Sequence, residues 1–170
     1  MWVITMERIL LLGLLRFIYV SADLNSRADC GNVCADGWTR FQDSCYYVGY
    51  ELHETFVEAA HFCRQHSAHL IHINTELESK FIKDFLRKTK ASTSWIGLQD
   101  IDIEGVWRWY DDNEVVTYTD WHPGEPAGST GEDCAVIHSG DYLWQDYPCD
   151  RTFPPICERN MNEDLSGIVG

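Results

Sequence analysis

The chain has 170 residues, enough for one domain with its own core and too few for two comfortable ones. Its 27 acidic and 13 basic residues give a net charge of −14, a surface that repels nucleic acid and anionic membranes and attracts cations. Seven cysteines behind an apolar N-terminus indicate disulfides rather than a reactive thiol or a metal cluster, and the odd count leaves one over.

Residues 1–22 read as a secretory signal peptide: a charged lead to Arg8, an apolar run from Ile9 to Val20 broken by Arg16, and small residues at Ser21-Ala22. Met6 offers a second start. An uncleaved anchor is the alternative, but the run is short and interrupted for a bilayer span, so no transmembrane anchor is expected. Removal of this segment leaves 26 acidic against 11 basic residues, a net charge of −15. Residues 23–33 form a polar leader that contains Cys30. Trp38–Tyr50 has β character. Thr55 opens an amphipathic helix in which Phe56, Ala59, Ala60 and Cys63 recur at three-to-four-residue spacing. Thr75-Glu-Leu-Glu78 is a capping box that starts a second helix, with Leu77, Phe81, Phe85 and Leu86 as its expected buried stripe.

Beyond the basic stretch Arg87–Lys90 the helical period disappears. Trp95–Leu98, Val106–Tyr110, Cys134–Ile137, Tyr142–Trp144 and Pro155–Cys157 are short strand-like runs separated by Gly, Asp and Pro. Two early helices followed by many short strands predict an α+β domain. Residues 159–170 read as a frayed tail without the apolar stretch of a lipid-anchor signal. No Asn-x-Ser/Thr sequon is present, nor a Ser-His-Asp set, a phosphate loop or carboxylates in a general-acid setting, so an enzyme is not expected.

The densest chemistry lies between Trp121 and Cys157. Glu125-Pro126 sits in a long loop region, Glu132 and Asp133 abut Cys134, and Gln145-Asp146 lies just before Cys149. Hard oxygen donors in such a cluster suit Ca²⁺, which takes about 6–8 oxygens. The long irregular span Asp111–Asp133 is itself a sign of function. His66-x2-His69-x2-His72 offers imidazoles for zinc. That run leaves a helix and enters a strand, so a common face is not assured, and the zinc reading is set aside. Trp95, Trp107, Trp109, Trp121 and Trp144 are expected to be core and loop supports, with Trp109 or Tyr110 exposed by alternation.

An ordered set of motifs resembles the C-type lectin-like domain family. It comprises Cys34-x3-Trp38-x2-Phe41-x3-Cys45-Tyr46, Trp95-Ile-Gly-Leu98, Trp121-x3-Glu125-Pro126, Glu132-Asp133-Cys134 and Ile156-Cys157-Glu158. The match spans residues 34–158, the expected domain. Leu98-x4-Ile103-Glu104-Gly105-x-Trp107 with Asp141–Trp144 resembles short secreted perlucin-like lectins of molluscs. The resemblance implies disulfides Cys34–Cys45, Cys63–Cys157 and Cys134–Cys149. Cys30 is then the orphan, open to an interchain bridge in a homodimer, to capping by a small thiol, or to scrambling with Cys34.

In sugar-binding members one calcium is held by a Glu-Pro-Asn loop, a glutamate before a cysteine and a Trp-Asn-Asp strand, and the same ion takes two vicinal sugar hydroxyls. By resemblance Glu125, Glu132, Gln145 and Asp146 are the calcium and carbohydrate ligands, and a cis peptide precedes Pro126. Ala127 replaces the loop Asn, which removes one calcium oxygen and one sugar-facing donor, and Gln145 replaces the strand Asn on a longer stem. Asp100, Glu104 and Asp133 match an auxiliary calcium site whose fourth acid is Gly128 here. The expected function is a secreted, calcium-dependent glycan-binding lectin serving recognition of microbial or self glycans in innate immunity. Glu-Pro-Ala matches neither the mannose-type nor the galactose-type loop, so the sugar stays unknown between those types. The rival readings are an acidic matrix protein on calcium carbonate or a protein-binding domain of the same fold.

Overall fold

Two antiparallel strands, β1 (Thr39–Phe41) and β2 (Ser44–Val48), open the domain as a hairpin in the computed structural model, which describes residues 33–128 and 131–161. The expected signal peptide, Cys30 and residues 162–170 lie outside the described residues. The chain divides into the units Met1–Val33 and Cys34–Gly170, and all described residues but Val33 fall in the second. The helices α1 (Phe56–Gln65) and α2 (Glu76–Thr89) flank a short strand β3 (His69–Leu70). Five strands follow: β4 (Ser94–Gln99), β5 (Arg108–Trp109), β6 (Cys134–Ile137), β7 (Trp144–Tyr147) and β8 (Ile156–Asn160). The eight strands β1–β8 form two four-stranded sheets in the orders β1-β2-β8-β3 and β5-β4-β6-β7. The α+β expectation is met, and all three disulfides have the pairing implied by the resemblance.

Both helix starts follow from their acids. The Glu58 carboxylate accepts from the Thr55 amide at 3.0 Å and from its hydroxyl at 2.6 Å. At α2 the Thr75 hydroxyl accepts from the Glu78 amide at 3.2 Å, but Glu78 reaches past Thr75 to the Asn74 amide at 3.0 Å. A cap of either kind typically contributes about 1 kcal/mol.

The buried face of α2 differs from the expected stripe. Ile82 and Leu86 are fully buried along with Ser79 and Glu78, whereas Leu77 is 57% exposed. Phe81 and Phe85 line the margin of that face, with Phe81 stacked on Phe41 at 4.2 Å. A stripe centred on 78, 82 and 86 carries an acid at its head, and reading apolar residues alone shifts it by one position. Trp109 is also buried, its indole donating to Asn74 Oδ1 at 3.1 Å, while Tyr110 packs edge-on to Phe56. Neither offers an open stacking platform.

The C-terminus is ordered further than expected. Residues Arg159 and Asn160 pair with Cys45 and Ser44, and Met161 is buried with its amide on the Asp43 carbonyl at 2.9 Å. The strand thus runs past Glu158 and lies in the first sheet between β2 and β3.

Glu78 and Glu158 are both buried beside the Tyr46 hydroxyl, which donates to Glu78 at 2.9 Å. Burial raises the Glu78 carboxyl above its ordinary range, and the Glu158 charge adds to this against the opposing Asn74 amide. A carboxyl raised in the folded state contributes stability below its unfolded value of 4.5, and loses it as pH rises through the folded value. In calcium-free buffer Glu78→Gln should therefore raise the unfolding midpoint by a few degrees at pH about 7.5 and leave it unchanged near pH 4. Parallel thermal melts at the two pH values check this, and an equal shift at both contradicts it.

Candidate functional site

The loop between β5 and β6 is tied to the start of β7 by its backbone. The Trp144 amide donates to Asp120 at 2.9 Å, and the His122 amide to the Trp144 carbonyl at 2.8 Å. The His122 ring meets Asp141 at 2.5 Å. Beneath the loop, Trp121 packs against Trp107 at 4.8 Å and Trp144 at 5.6 Å. Gly124, at φ +101°, turns the chain where an L side chain would be strained. The Glu125–Pro126 peptide that follows is cis, as the resemblance implies. Together these constraints bring Glu125 from the loop and Asp146 from β7 side by side.

Asp146 is buried, and both of its carboxylate oxygens accept from the Ala127 amide, at 3.2 and 3.0 Å. Among the described residues no donor reaches the buried Oε2 of Glu125. Its carboxyl is pushed up to about 7, first by sharing a hydrogen bond with Asp146, then by burial, then by the Asp146 charge, with Glu132 adding a smaller contribution. Two carboxylates in contact cannot both ionise cheaply unless a proton or a cation lies between them.

A second group adjoins the first. Asp100, at the end of β4, is buried and donates its amide to the Asp133 carbonyl at 3.1 Å. Its Oδ2 accepts from the Gly105 amide at 2.7 Å, while Oδ1 is buried without a partner among the described residues. Burial raises its carboxyl, opposed by the Gly105 amide and reinforced by the charges of Asp133 and Asp146. Glu104 is raised by lost hydration and by Asp100, Asp133 and Asp146. Asp146 therefore senses both groups.

The structure thus brings Glu125 and Asp146 into contact, with Glu132 near enough for its charge to act on Glu125, and sets Asp100, Glu104 and Asp133 where their charges and that of Asp146 act on one another. Gln145 is half-buried on β7, and its side chain makes no hydrogen bond among the described residues. Ala127 is exposed and contributes only its backbone amide. Gln99 was not singled out from sequence, yet its Oε1 is also buried without a partner. A polar residue closing an otherwise buried strand is the signal that marks it. Three unpartnered buried oxygens among carboxylates and an amide fit a hard cation such as Ca²⁺, which tolerates mixed oxygen donors.

Residues 52–159 match the model of the Lectin C-type domain. The chain belongs to the C-type lectin domain family. It is 35% identical over 130 residues to perlucin of Haliotis laevigata, covering 74% of this chain and 83% of perlucin. It is 33% identical over 150 residues to human C-type lectin domain family 10 member A, covering 84% of this chain but 45% of that protein. The chain therefore spans less than half of that human relative. The carbohydrate-recognition domain of the mouse scavenger receptor C-type lectin superposes with a TM-score of 0.68 at 35% identity, over 75% of this chain and 98% of that one. C-type lectin domains are generally non-enzymatic carbohydrate-binding units, and many bind calcium. Among the described residues no helix is long and apolar enough to cross a membrane.

Proposed function

We propose that this chain is a secreted lectin that binds glycans through calcium. Glu125, Glu132, Gln145 and Asp146 hold the ion, which takes two vicinal sugar hydroxyls, and Asp100, Glu104 and Asp133 form the auxiliary site. The observation that carries this reading is the pair of buried, unpartnered carboxylate oxygens, Glu125 Oε2 and Asp100 Oδ1, gathered around Asp146. Buried polar atoms are rarely left without partners, and those that are ask for an ion or a water. Three disulfides support an oxidising, extracellular compartment. Few direct contacts make each site weak, so a Cys30-linked dimer would raise avidity, as glycan recognition on microbial surfaces requires.

The net charge of −14 favours a second reading, adsorption to calcium carbonate. A glycan-array screen in calcium, repeated with chelator, separates the two. Calcium-dependent binding that free sugar competes away is the expected result; retention on mineral with no glycan signal would favour the matrix reading. Because Ala127 is exposed, an Asn there meets no packed neighbour and restores an amide oxygen. Ala127→Asn should tighten calcium by about ten-fold, the worth of one charge-assisted ligand, and strengthen the array signal with it.

A further inference from the structure

The histidine run that sequence reasoning sets aside resolves into a different cluster. His66 ends α1, exposed, with its ring on the Phe62 carbonyl at 2.9 Å. His69 and His72 do not follow it. The rings of His69, on β3, and His72, just beyond, lie 4.4 Å apart and tilted by 43°. Asp111 arrives from the other sheet, two residues past β5, and its Oδ1 meets His72 Nε2. One ligand atom from each of His69, His72 and Asp111 lies within 4.8 Å of the other two. Asp112 stands behind, its Oδ2 3.8 Å from His72 Nδ1.

Three features make this more than a chance meeting of polar groups. First, His69 Nδ1 lies 2.9 Å from the Leu70 carbonyl, which only accepts. The proton must sit on Nδ1, so the neutral ring carries its lone pair on Nε2, and such backbone orientation of the second nitrogen is typical of metal-binding histidines. Second, the imidazoles are fixed in place. β3 pairs with β8 through His69↔Glu158 and Leu70↔Cys157, the His72 amide donates to Glu158 at 3.2 Å, and the His72 ring lies flat on Trp109 at 4.5 Å. Third, the site is open on one side. A hollow of about 260 Å³, lined in part by Ser67, His69, Asp111 and Arg159, leaves room for water or an anion as a fourth ligand.

We propose that His69, His72 and Asp111 form a zinc-binding site, separate from the calcium loops and not dependent on their assignment. Two imidazoles with one carboxylate select zinc over calcium, which prefers oxygen. Zinc at about 2.0–2.1 Å from each ligand holds them some 3.3 Å apart. Forming the site thus draws the widest pair inward by at most about 1.5 Å and inserts the ion where a proton now joins His72 to Asp111. With both imidazoles held, Asp111 is the member exposed enough to make that adjustment. The ion would clip β3 of one sheet to the end of β5 in the other.

Titration calorimetry with zinc chloride on the whole chain, calcium-saturated, tests this. One zinc per chain is expected, with His69→Ala and Asp111→Asn each weakening it by about ten-fold or more. His66→Ala and His122→Ala should leave it unchanged, the latter serving as control because the His122–Asp141 pair is a histidine–carboxylate contact outside this cluster. Cobalt in place of zinc should give the visible absorption of a four-coordinate ion, lost in the same two variants. Absence of zinc binding would overturn the proposal. So would binding that survives both His69→Ala and Asp111→Asn, or that His122→Ala removes. The mutated side chains are half-buried or exposed, so the variants should stay folded, which circular dichroism checks.

Discussion

Saturating calcium should raise the unfolding midpoint of the chain by about 10 °C, and Asp146→Asn should remove nearly all of that rise. An ion at a hundred-fold excess over its Kd stabilises by about 2.7 kcal/mol, and each kcal/mol moves the midpoint of a domain this size by about 4 °C. Asparagine is the informative replacement because its Oδ1 still accepts from the Ala127 amide, so the loop stays docked while the charge at the junction of both carboxylate groups disappears. The metal-free protein supplies the control. Glu125, raised to about 7 from an ordinary 4.5, contributes stability below pH 4.5 that is lost as pH rises through about 7. After allowance for solvent screening this amounts to about 1–2 kcal/mol. In chelator the wild type should therefore weaken between pH 4.5 and 7. Asp146→Asn, which removes the neighbouring charge but leaves Glu125 buried, should weaken less over the same range. Calcium bound there would have to displace the shared proton, so its affinity should fall as pH drops below about 7. Scanning calorimetry with and without chelator checks all three, and an undiminished calcium response in Asp146→Asn would sink the site.

What the sequence made legible was what depends on neighbours along the chain. Thr55 and Thr75 announce helix starts because a cap and its acid lie three residues apart, and the glycines and acids near 124 and 132 mark a loop by composition. The cis peptide and the cysteine pairing came through resemblance, since neither has a local cause. What stayed hidden is set by distant contacts. The expected strand at Tyr142–Trp144 begins instead at Trp144, because Tyr142 sits at φ +61° in a turn whose amide donates back to His138. The face of α2 is fixed by Tyr46, 32 residues before Glu78, which draws an acid inward where pattern reading keeps it out. Asp111 lies 39 residues from His72, so no spacing rule within the histidine run could include it.

Loss of Cys63–Cys157 should cost the domain about 3–5 kcal/mol and lower its midpoint by more than 10 °C, while calcium affinity stays the same. This bridge joins α1 to β8 across 94 residues, and both cysteines are fully buried against Phe56, Leu70, Trp95 and Val136. Alanine at both positions keeps the surroundings apolar, so the loss reflects the freed unfolded chain together with two small voids. Cys134–Cys149 closes only 15 residues, but those residues begin directly after Glu132-Asp133 and include Asp146. Its removal should cost less stability, about 2–3 kcal/mol, and weaken calcium by an order of magnitude or more, because β6 and β7 then hold the ligands through backbone pairing alone. Thermal melts in chelator, paired with calcium titrations well below each midpoint, should separate the two variants in opposite directions. If both lost stability and calcium affinity in the same proportion, the calcium loops would not be a separately braced part of the fold, and Asp146 would owe its position to the core as a whole.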